Sequence, residues 1–219
     1  QLEKLQHLGL DRNQFSGELP ENFGSLPLLS ALYLQYNSLS GSMDELLTLR
    51  NIAHLDIGYN QFEGELSEQL GNLLSLETLR LNSNKFTGKI PFEFSKLVNT
   101  KILWLQDNDL EGTIEPLASM AQLEFCYVSR NNFSGSIPPV MGLLPQLKQI
   151  GFDANGFTGT IPPQFNTTPQ LQAFYAQQNR LEGSIPQKLC TLTCDLRNNL
   201  YGAVSSPCCE LPVGENYIN

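Results

Sequence analysis

The chain has 219 residues, of which 41% are hydrophobic, so it can bury a core and is not globally disordered. Its 22 acidic side chains outnumber the 13 basic ones, and the resulting charge of -9 disfavours nucleic-acid phosphates and anionic membrane surfaces as partners. No run approaches the roughly 18 apolar residues of a membrane span, so we expect no membrane insertion by this segment.

One asparagine recurs along the whole chain at steps of 23 or 24 residues. Hydrophobic residues stand eight, five and three positions before it, with Thr100 as the one exception. Leu or Phe stands two positions after it, and Gly stands four positions after it. A ninth, shortened copy follows at Asn198 or Asn199. The eight regular copies contain the residues that we call the repeat asparagines: Asn13, Asn37, Asn60, Asn84, Asn108, Asn131, Asn155 and Asn179.

Each copy begins with an L-x-L segment, whose period of two predicts a short strand with one buried face. The repeat asparagine comes next, and its side chain is expected to turn inward and bond backbone groups of the bend. The glycine permits a backbone conformation that other residues resist, and a proline in several copies fixes the direction of the return segment. One copy cannot bury its own leucines, whereas stacked copies can, which predicts a solenoid.

The pattern L-x-x-L-x-L-x-x-N-x-[LF]-x-G-x-[IL]-P resembles the plant-type 24-residue class of leucine-rich repeat proteins, with its best copies at residues 81–91, 134–139 and 158–163. This class includes the ectodomains of plant receptor-like kinases and receptor-like proteins, and polygalacturonase-inhibiting proteins; similar repeats occur in algal secreted proteins. The resemblance implies an α/β solenoid, a right-handed superhelix with a parallel β-sheet on its concave face and 3-10 or irregular return segments.

We assign residues 1–204 to about nine repeats and residues 205–219 to a cysteine-containing C-terminal cap or tail. The family usually has an N-terminal cap before its first repeat, whereas this sequence opens inside a repeat at Leu2. We therefore expect either a missing cap or a partner chain to cover that end.

Four of the five cysteines lie where the repeats end, and we predict one or two disulfides there, among Cys190, Cys194, Cys208 and Cys209. A zinc site is the alternative, although C-x2-C spacing is lacking. Cys126 stands in a hydrophobic column and is predicted to be a buried free thiol. Disulfides and two glycosylation sequons, at Asn132 and Asn166, predict an extracellular protein, secreted or part of an ectodomain; an organelle lumen is the alternative.

We expect the side chains six, four, two and one position before each repeat asparagine to face the concave side. The only tryptophan and five of the seven tyrosines fall in these columns, mixed with Arg and Asp, which is typical of binding hot spots. The alternative is that the aromatic side chains only pack against one another across strands. The candidate ligand-binding residues are Tyr33, Tyr36, Asp56, Tyr59, Arg80, Trp104, Asp107, Tyr127, Arg130 and Tyr175.

No catalytic motif is present, and the only two histidines, His7 and His54, are expected about 10 Å apart, too far to share a metal. We therefore predict a non-enzymatic protein without a cofactor or metal. The leading hypothesis is a recognition domain that binds a protein or peptide on the concave face. The alternatives are a secreted inhibitor of a cell-wall hydrolase or a polysaccharide-binding wall protein, and a structural subunit of a larger assembly.

Overall fold

A computed structural model describes residues 2–200 of the chain. Its strands, numbered β1 to β17 in chain order, form two parallel sheets, because almost every repeat contributes one strand to each. The main sheet has nine strands, β1 (His7–Gly9), β3 (Ala31–Tyr33), β5 (His54–Asp56), β7 (Thr78–Arg80), β9 (Ile102–Trp104), β11 (Phe125–Tyr127), β13 (Gln149–Gly151), β15 (Ala173–Tyr175) and β17 (Thr193–Asp195).

The second sheet lies after the asparagine bend and was not predicted from the sequence. Its strands are two to five residues long and rich in Ser, Thr and Gly, so they carry little of the apolar alternation that marks a strand. They are β2 (Ser16–Gly17), β4 (Ser38–Gly41), β6 (Gln61–Glu65), β8 (Lys85–Lys89), β10 (Asp109–Gly112), β12 (Asn132–Ser136), β14 (Gly156–Thr160) and β16 (Arg180–Glu182).

Short 3-10 helices return the chain from the second sheet to the next strand of the main sheet. They span Asp44–Thr48, Glu68–Asn72, Phe92–Lys96, Glu115–Ser119, Pro139–Leu143, Pro163–Asn166 and Gln187–Thr191. The predicted parallel sheet and 3-10 return segments are thereby confirmed. The predicted boundary between residues 204 and 205 lies outside the described residues.

The main hydrophobic core runs through the stack between the two sheets and the 3-10 helices. The central residue of every main-sheet strand from β3 to β15 is fully buried, as the period of two predicts. Cys126 is one of these residues and is a free thiol, as predicted. The second sheet contributes mainly phenylalanines, and Phe133 and Phe157 stack with ring centroids 6.4 Å apart. In residues 2–200 no helix is long and apolar enough to cross a membrane.

The repeat asparagines join neighbouring repeats through their side chains. Asn131 Nδ2 donates to the carbonyl oxygens of Leu105 at 3.0 Å and of Val128 at 3.2 Å, and its Oδ1 accepts from the backbone N–H of Leu110 at 3.0 Å. The shortened ninth copy follows the same pattern at Asn199, whose Oδ1 accepts from the N–H of Leu181 at 2.9 Å. This register resolves the choice between Asn198 and Asn199 in favour of Asn199.

The residue before each repeat asparagine adopts a left-handed conformation, with φ between 51° and 60° in all nine copies. This column was expected to face the concave side, and the structure places it in the bend that follows each strand of the main sheet. The chain must turn there so that the asparagine points inward, and the hydrogen bonds of the asparagine hold a conformation that non-glycine residues rarely adopt.

Candidate functional site

The open face of the main sheet carries the side chains on either side of the buried central residue of each strand. Near the N-terminal half of this face lies a cavity of about 170 Å³, which we call the aromatic cavity. It is lined by Arg12, Gln35, Tyr36, Asp56, Tyr59, Arg80, Asn82 and Trp104.

One wall of the aromatic cavity is a stack of planar groups in the column directly before the repeat asparagines. The rings of Tyr36 and Tyr59 lie nearly parallel, at 10°, with centroids 4.3 Å apart. The guanidinium of Arg12 lies over the Tyr36 ring, 4.7 Å from its centroid. Partial burial, and then the neighbouring Tyr59, raises the pKa of Tyr36. The left-handed bend brings these three side chains together, because it turns the same column outward in consecutive repeats.

The second wall is a charged group that is largely shielded from solvent. Asp56 is only 5% exposed, accepts a hydrogen bond from the N–H of Gly58 at 3.1 Å and pairs with Arg80 Nη1 at 3.3 Å. Burial raises the pKa of Asp56, although the bonds from Gly58 and Arg80 act in the opposite direction. The guanidinium of Arg80 also lies 4.3 Å from the ring centroid of Trp104. This arrangement holds Arg80 between an acidic and an aromatic partner.

Two donors in this wall have no hydrogen-bond partner among the described residues. They are Arg80 Nε and Trp104 Nε1, and both atoms are buried. The amide oxygen of Gln35, which also lines the cavity, is buried without a partner as well. Leaving a buried donor or acceptor unpaired costs about 1–3 kcal/mol, so these atoms favour a bound group that can pair with them.

Beyond the aromatic cavity the open face carries an ion-pair network. Arg130 donates two hydrogen bonds to the carboxylate of Asp107 and lies 4.0 Å from a carboxylate oxygen of Asp153. The hydroxyl of Ser129 donates to Asp153, which is 8% exposed. The hydrogen bond with Asp107 raises the pKa of Arg130, and burial raises the pKa of Asp153. Both carboxylates of this network therefore face the same arginine, Arg130.

The C-terminal half of the open face is covered by its own side chains. Tyr127 and Tyr175 are only 6% and 8% exposed and form a small cluster with Ala173. A side chain at Gly151, between the two tyrosines, would place its Cβ 2.7 Å from the ring of Tyr127, so the glycine makes room for that ring. Burial raises the pKa of Tyr127 to about 12. These two tyrosines are therefore packed residues rather than accessible ones.

The structure thus brings together only part of the candidate site that the sequence predicts. Tyr36, Asp56, Tyr59, Arg80 and Trp104 line the aromatic cavity. The remaining candidates lie outside its lining: Tyr33 is half-buried on β3, Asp107 and Arg130 pair with each other, and Tyr127 and Tyr175 are packed.

Sequence reasoning left three lining residues, Arg12, Gln35 and Asn82, out of the candidate site. They stand one or two positions before a repeat asparagine, in columns that the sequence analysis had already singled out. They were missed because the candidate residues were chosen for aromatic rings and for paired Arg and Asp side chains. Their position relative to the repeat asparagine would have identified them.

The predicted modification sites have definite places in the fold. Cys190 and Cys194 are both disulfide-bonded, whereas Cys208 and Cys209 lie outside the described residues. Asn132 is exposed on β12, and Asn166 is exposed at the end of a 3-10 helix. The disulfide pairing and the glycosylation of both asparagines stay predictions. Within residues 2–200 no three His, Cys, Asp or Glu side chains are grouped so that they could hold a metal ion.

Comparison with known proteins gives consistent similarities. The family model described as Leucine Rich Repeat matches residues 4–26, 51–73, 75–97 and 122–144. Receptor-like protein 39 of Arabidopsis thaliana is 35% identical over 143 residues, which is 64% of this chain but only 16% of the relative. The chain therefore spans about one sixth of the length of this curated relative.

Solved structures of plant receptors are also similar. The ectodomain of the receptor kinase GASSHO1/SCHENGEN3 from Arabidopsis thaliana, in complex with CASPARIAN STRIP INTEGRITY FACTOR 2, is 32% identical with a TM-score of 0.76. The plant peptide hormone receptor RGFR1, in complex with RGF2, is 25% identical with a TM-score of 0.83. Both matches cover 91% of this chain, and they cover 27% and 37% of the two receptors, respectively.

Proposed function

Because this chain is a leucine-rich repeat protein of the plant type, we propose that it is a recognition domain without enzymatic activity, which binds a protein or peptide ligand on the open face of its main sheet. The aromatic cavity is the observation that carries this proposal. It combines partly exposed aromatic rings with buried, unpaired polar atoms, which is the composition of a binding hot spot.

The relatives support a ligand of this class. GASSHO1/SCHENGEN3 and RGFR1 were each solved in complex with a partner, and RGFR1 is described as a peptide hormone receptor. This chain spans only part of either receptor, so neither of their partners is assigned to it. What we carry over is the class of ligand, a peptide or protein surface.

We also propose an extracellular location. The curated relatives are receptor-like proteins, and Cys190 and Cys194 are disulfide-bonded, as is usual for proteins in an oxidising compartment. The exposed sequon asparagines Asn132 and Asn166 agree with passage through a secretory pathway. Expression in a eukaryotic secretory host, followed by enzymatic deglycosylation and mass measurement, tests whether the two sequons are used.

Binding is tested with pools of N-acetylated hexapeptide amides, each pool having one fixed residue type, applied to the immobilised protein. We expect at least one pool to bind, and Tyr59→Ala and Arg80→Ala to weaken that binding by roughly 30-fold, as for hot-spot residues of about 2 kcal/mol. Lys96→Ala is the control, because this side chain lies on a 3-10 helix away from the open face. Melting curves of all variants separate loss of binding from loss of folding.

The absence of binding by every pool would contradict the proposed function. Binding that is equal in the wild type, Tyr59→Ala and Arg80→Ala would place the ligand elsewhere. Inhibition of a polygalacturonase by the same protein preparation would instead favour the hydrolase-inhibitor alternative.

A further inference from the structure

The stack of planar groups beside the aromatic cavity stops abruptly. Arg12, Tyr36 and Tyr59 occupy the column before the repeat asparagines in three consecutive repeats, and Ser83 occupies the same position in the fourth. One face of the Tyr36 ring is covered by Arg12 and the other by Tyr59. The small Ser83 side chain supplies no ring to continue the stack, so the next position of the stack is left open.

The strand spacing leaves room for one flat group above Ser83. Neighbouring strands lie about 4.8 Å apart, so Tyr59 and Asp107, two repeats apart in this column, are separated by about 10 Å. A planar group midway between them lies at stacking distance from Tyr59. The adjoining cavity of about 170 Å³ is large enough for a six-membered ring, since an engineered protein cavity of about 150 Å³ binds benzene.

The surrounding charges disfavour a cationic group in the cavity. The carboxylates of Asp56 and Asp107 are already paired, Asp56 with Arg80 and Asp107 with Arg130. A cation entering the cavity would therefore find no unpaired carboxylate in the lining and would face two arginines, Arg12 and Arg80. The buried N–H groups of Trp104 and Arg80 require an acceptor, which a peptide carbonyl supplies beside its own side chain.

We propose that the aromatic cavity binds an aromatic side chain of a peptide, with its ring stacked on Tyr59 above Ser83 and a neighbouring backbone carbonyl accepting from Trp104 Nε1 or Arg80 Nε. This assignment rests on the proposed function and adds the residue class that the peptide presents. Aromatic rings prefer offset-stacked or edge-to-face partners, and the face of Tyr59 on the Ser83 side is available for one.

The test introduces a tyrosine ring at position 83, so that a side chain of the protein itself occupies the open stacking position. Ser83→Tyr is compatible with the backbone, because φ is 55° at Ser83 and 60° and 53° at Tyr36 and Tyr59, which already carry this side chain. Gln178→Tyr is the matched control, since φ is 59° there and the position is exposed in the same column near the other end of the stack. Tyr59→Leu is the second variant, which removes the stacking face without filling the cavity.

Binding is measured with the hexapeptide pools whose fixed residue is Phe, Tyr, Leu, Arg or Glu. The emission of Trp104 serves as the reporter, because it is the only tryptophan of the chain and lines the cavity. We expect the Phe and Tyr pools to bind the wild type and Gln178→Tyr roughly 10- to 100-fold more tightly than the Leu pool. This preference should disappear in both Ser83→Tyr and Tyr59→Leu.

The outcomes separate the two proposals. Pools that bind without an aromatic preference, or a preference for Arg, overturn the aromatic assignment and leave the proposed function standing. An aromatic preference that survives in Tyr59→Leu also overturns it, even if Ser83→Tyr fails to fold. Failure of every pool to bind the wild type removes the proposed function and the aromatic assignment together.

Discussion

Replacing Asn131 with alanine is expected to destabilise the solenoid far more than the same change at Asn13. Asn131 is 8% exposed and makes four side-chain hydrogen bonds to backbone groups. Asn13 is exposed and donates only to two carbonyls of its own bend, at 3.2 and 2.9 Å. The two residues occupy the same position of the repeat, so the comparison isolates burial and the bonds between repeats.

The magnitude follows from which groups lose a partner. In Asn131→Ala the buried N–H of Leu110 loses the side-chain oxygen that it donates to, and an unsatisfied buried donor costs about 1–3 kcal/mol. The carbonyls of Leu105 and Val128 each lose one donor but keep another, from the asparagines of neighbouring repeats. We therefore expect a loss of about 2–4 kcal/mol at Asn131, and less than about 1 kcal/mol at Asn13, where water replaces the lost bonds.

Thermal and urea unfolding followed by circular dichroism measure this difference. For a domain of this size about 2–4 kcal/mol lowers the Tm by roughly 5–15 °C. Both variants leave the Asn132 sequon intact, so glycosylation does not complicate the comparison. Equal Tm shifts for Asn13→Ala and Asn131→Ala would refute the reasoning, since they would show that the bonds between repeats contribute nothing measurable.

Three further predictions concern the core and the titrating groups. Phe133→Ala should lower the free energy of unfolding, measured in urea, by about 3–5 kcal/mol, and Phe92→Ala by less than about 0.5 kcal/mol. The reason is that the Phe133 side chain is 0% exposed and the Phe92 side chain 73%. Similar losses in the two variants would contradict this prediction. Burial raises the pKa of Asp56, so the contribution of Asp56 to stability is lost as the pH rises above about 4. Lys101 lowers the pKa of Glu77, so the contribution of Glu77 to stability is lost as the pH falls. The stability of the wild type minus that of Asp56→Asn or Glu77→Gln should therefore change with opposite slopes between about pH 3 and 6, and slopes of one sign would be incompatible with these shifts. Burial raises the pKa of the Cys126 thiol to about 12. A thiol reagent at pH 8 should therefore label the native wild type and Cys126→Ala equally. Extra labelling of the wild type would show that the Cys126 thiol is accessible.

The repeat could be predicted from the sequence because its physical causes are local. A strand with one buried face requires hydrophobic residues at every second position. The bend after it contains buried backbone groups, and the asparagine side chain pairs with them. The second sheet could not be predicted in the same way, because strands such as Asn132–Ser136 owe their pairing to the neighbouring repeats rather than to their own polar residues.

The candidate site was harder to predict because exposure depends on the neighbours of each residue. Tyr127 and Tyr59 are both tyrosines in columns expected to face outward, yet Tyr127 is 6% exposed whereas Tyr59 is half-buried and lines the aromatic cavity. The difference lies in what stands beside them. Gly151 has no side chain, so the ring of Tyr127 can pack against the sheet at that position. Ser83 has a small side chain, so the position next to the Tyr59 ring stays open.

The sequence by itself determined the period, the strand of each repeat, the inward asparagine and the buried thiol, because each follows from residues close together in one copy. The tertiary structure alone decided which outward side chains form a site. Residues about 24 positions apart in sequence become neighbours only when the repeats stack, so the Tyr36–Tyr59 stack, the Asp56–Arg80 pair and the cavity between them exist only in the assembled solenoid.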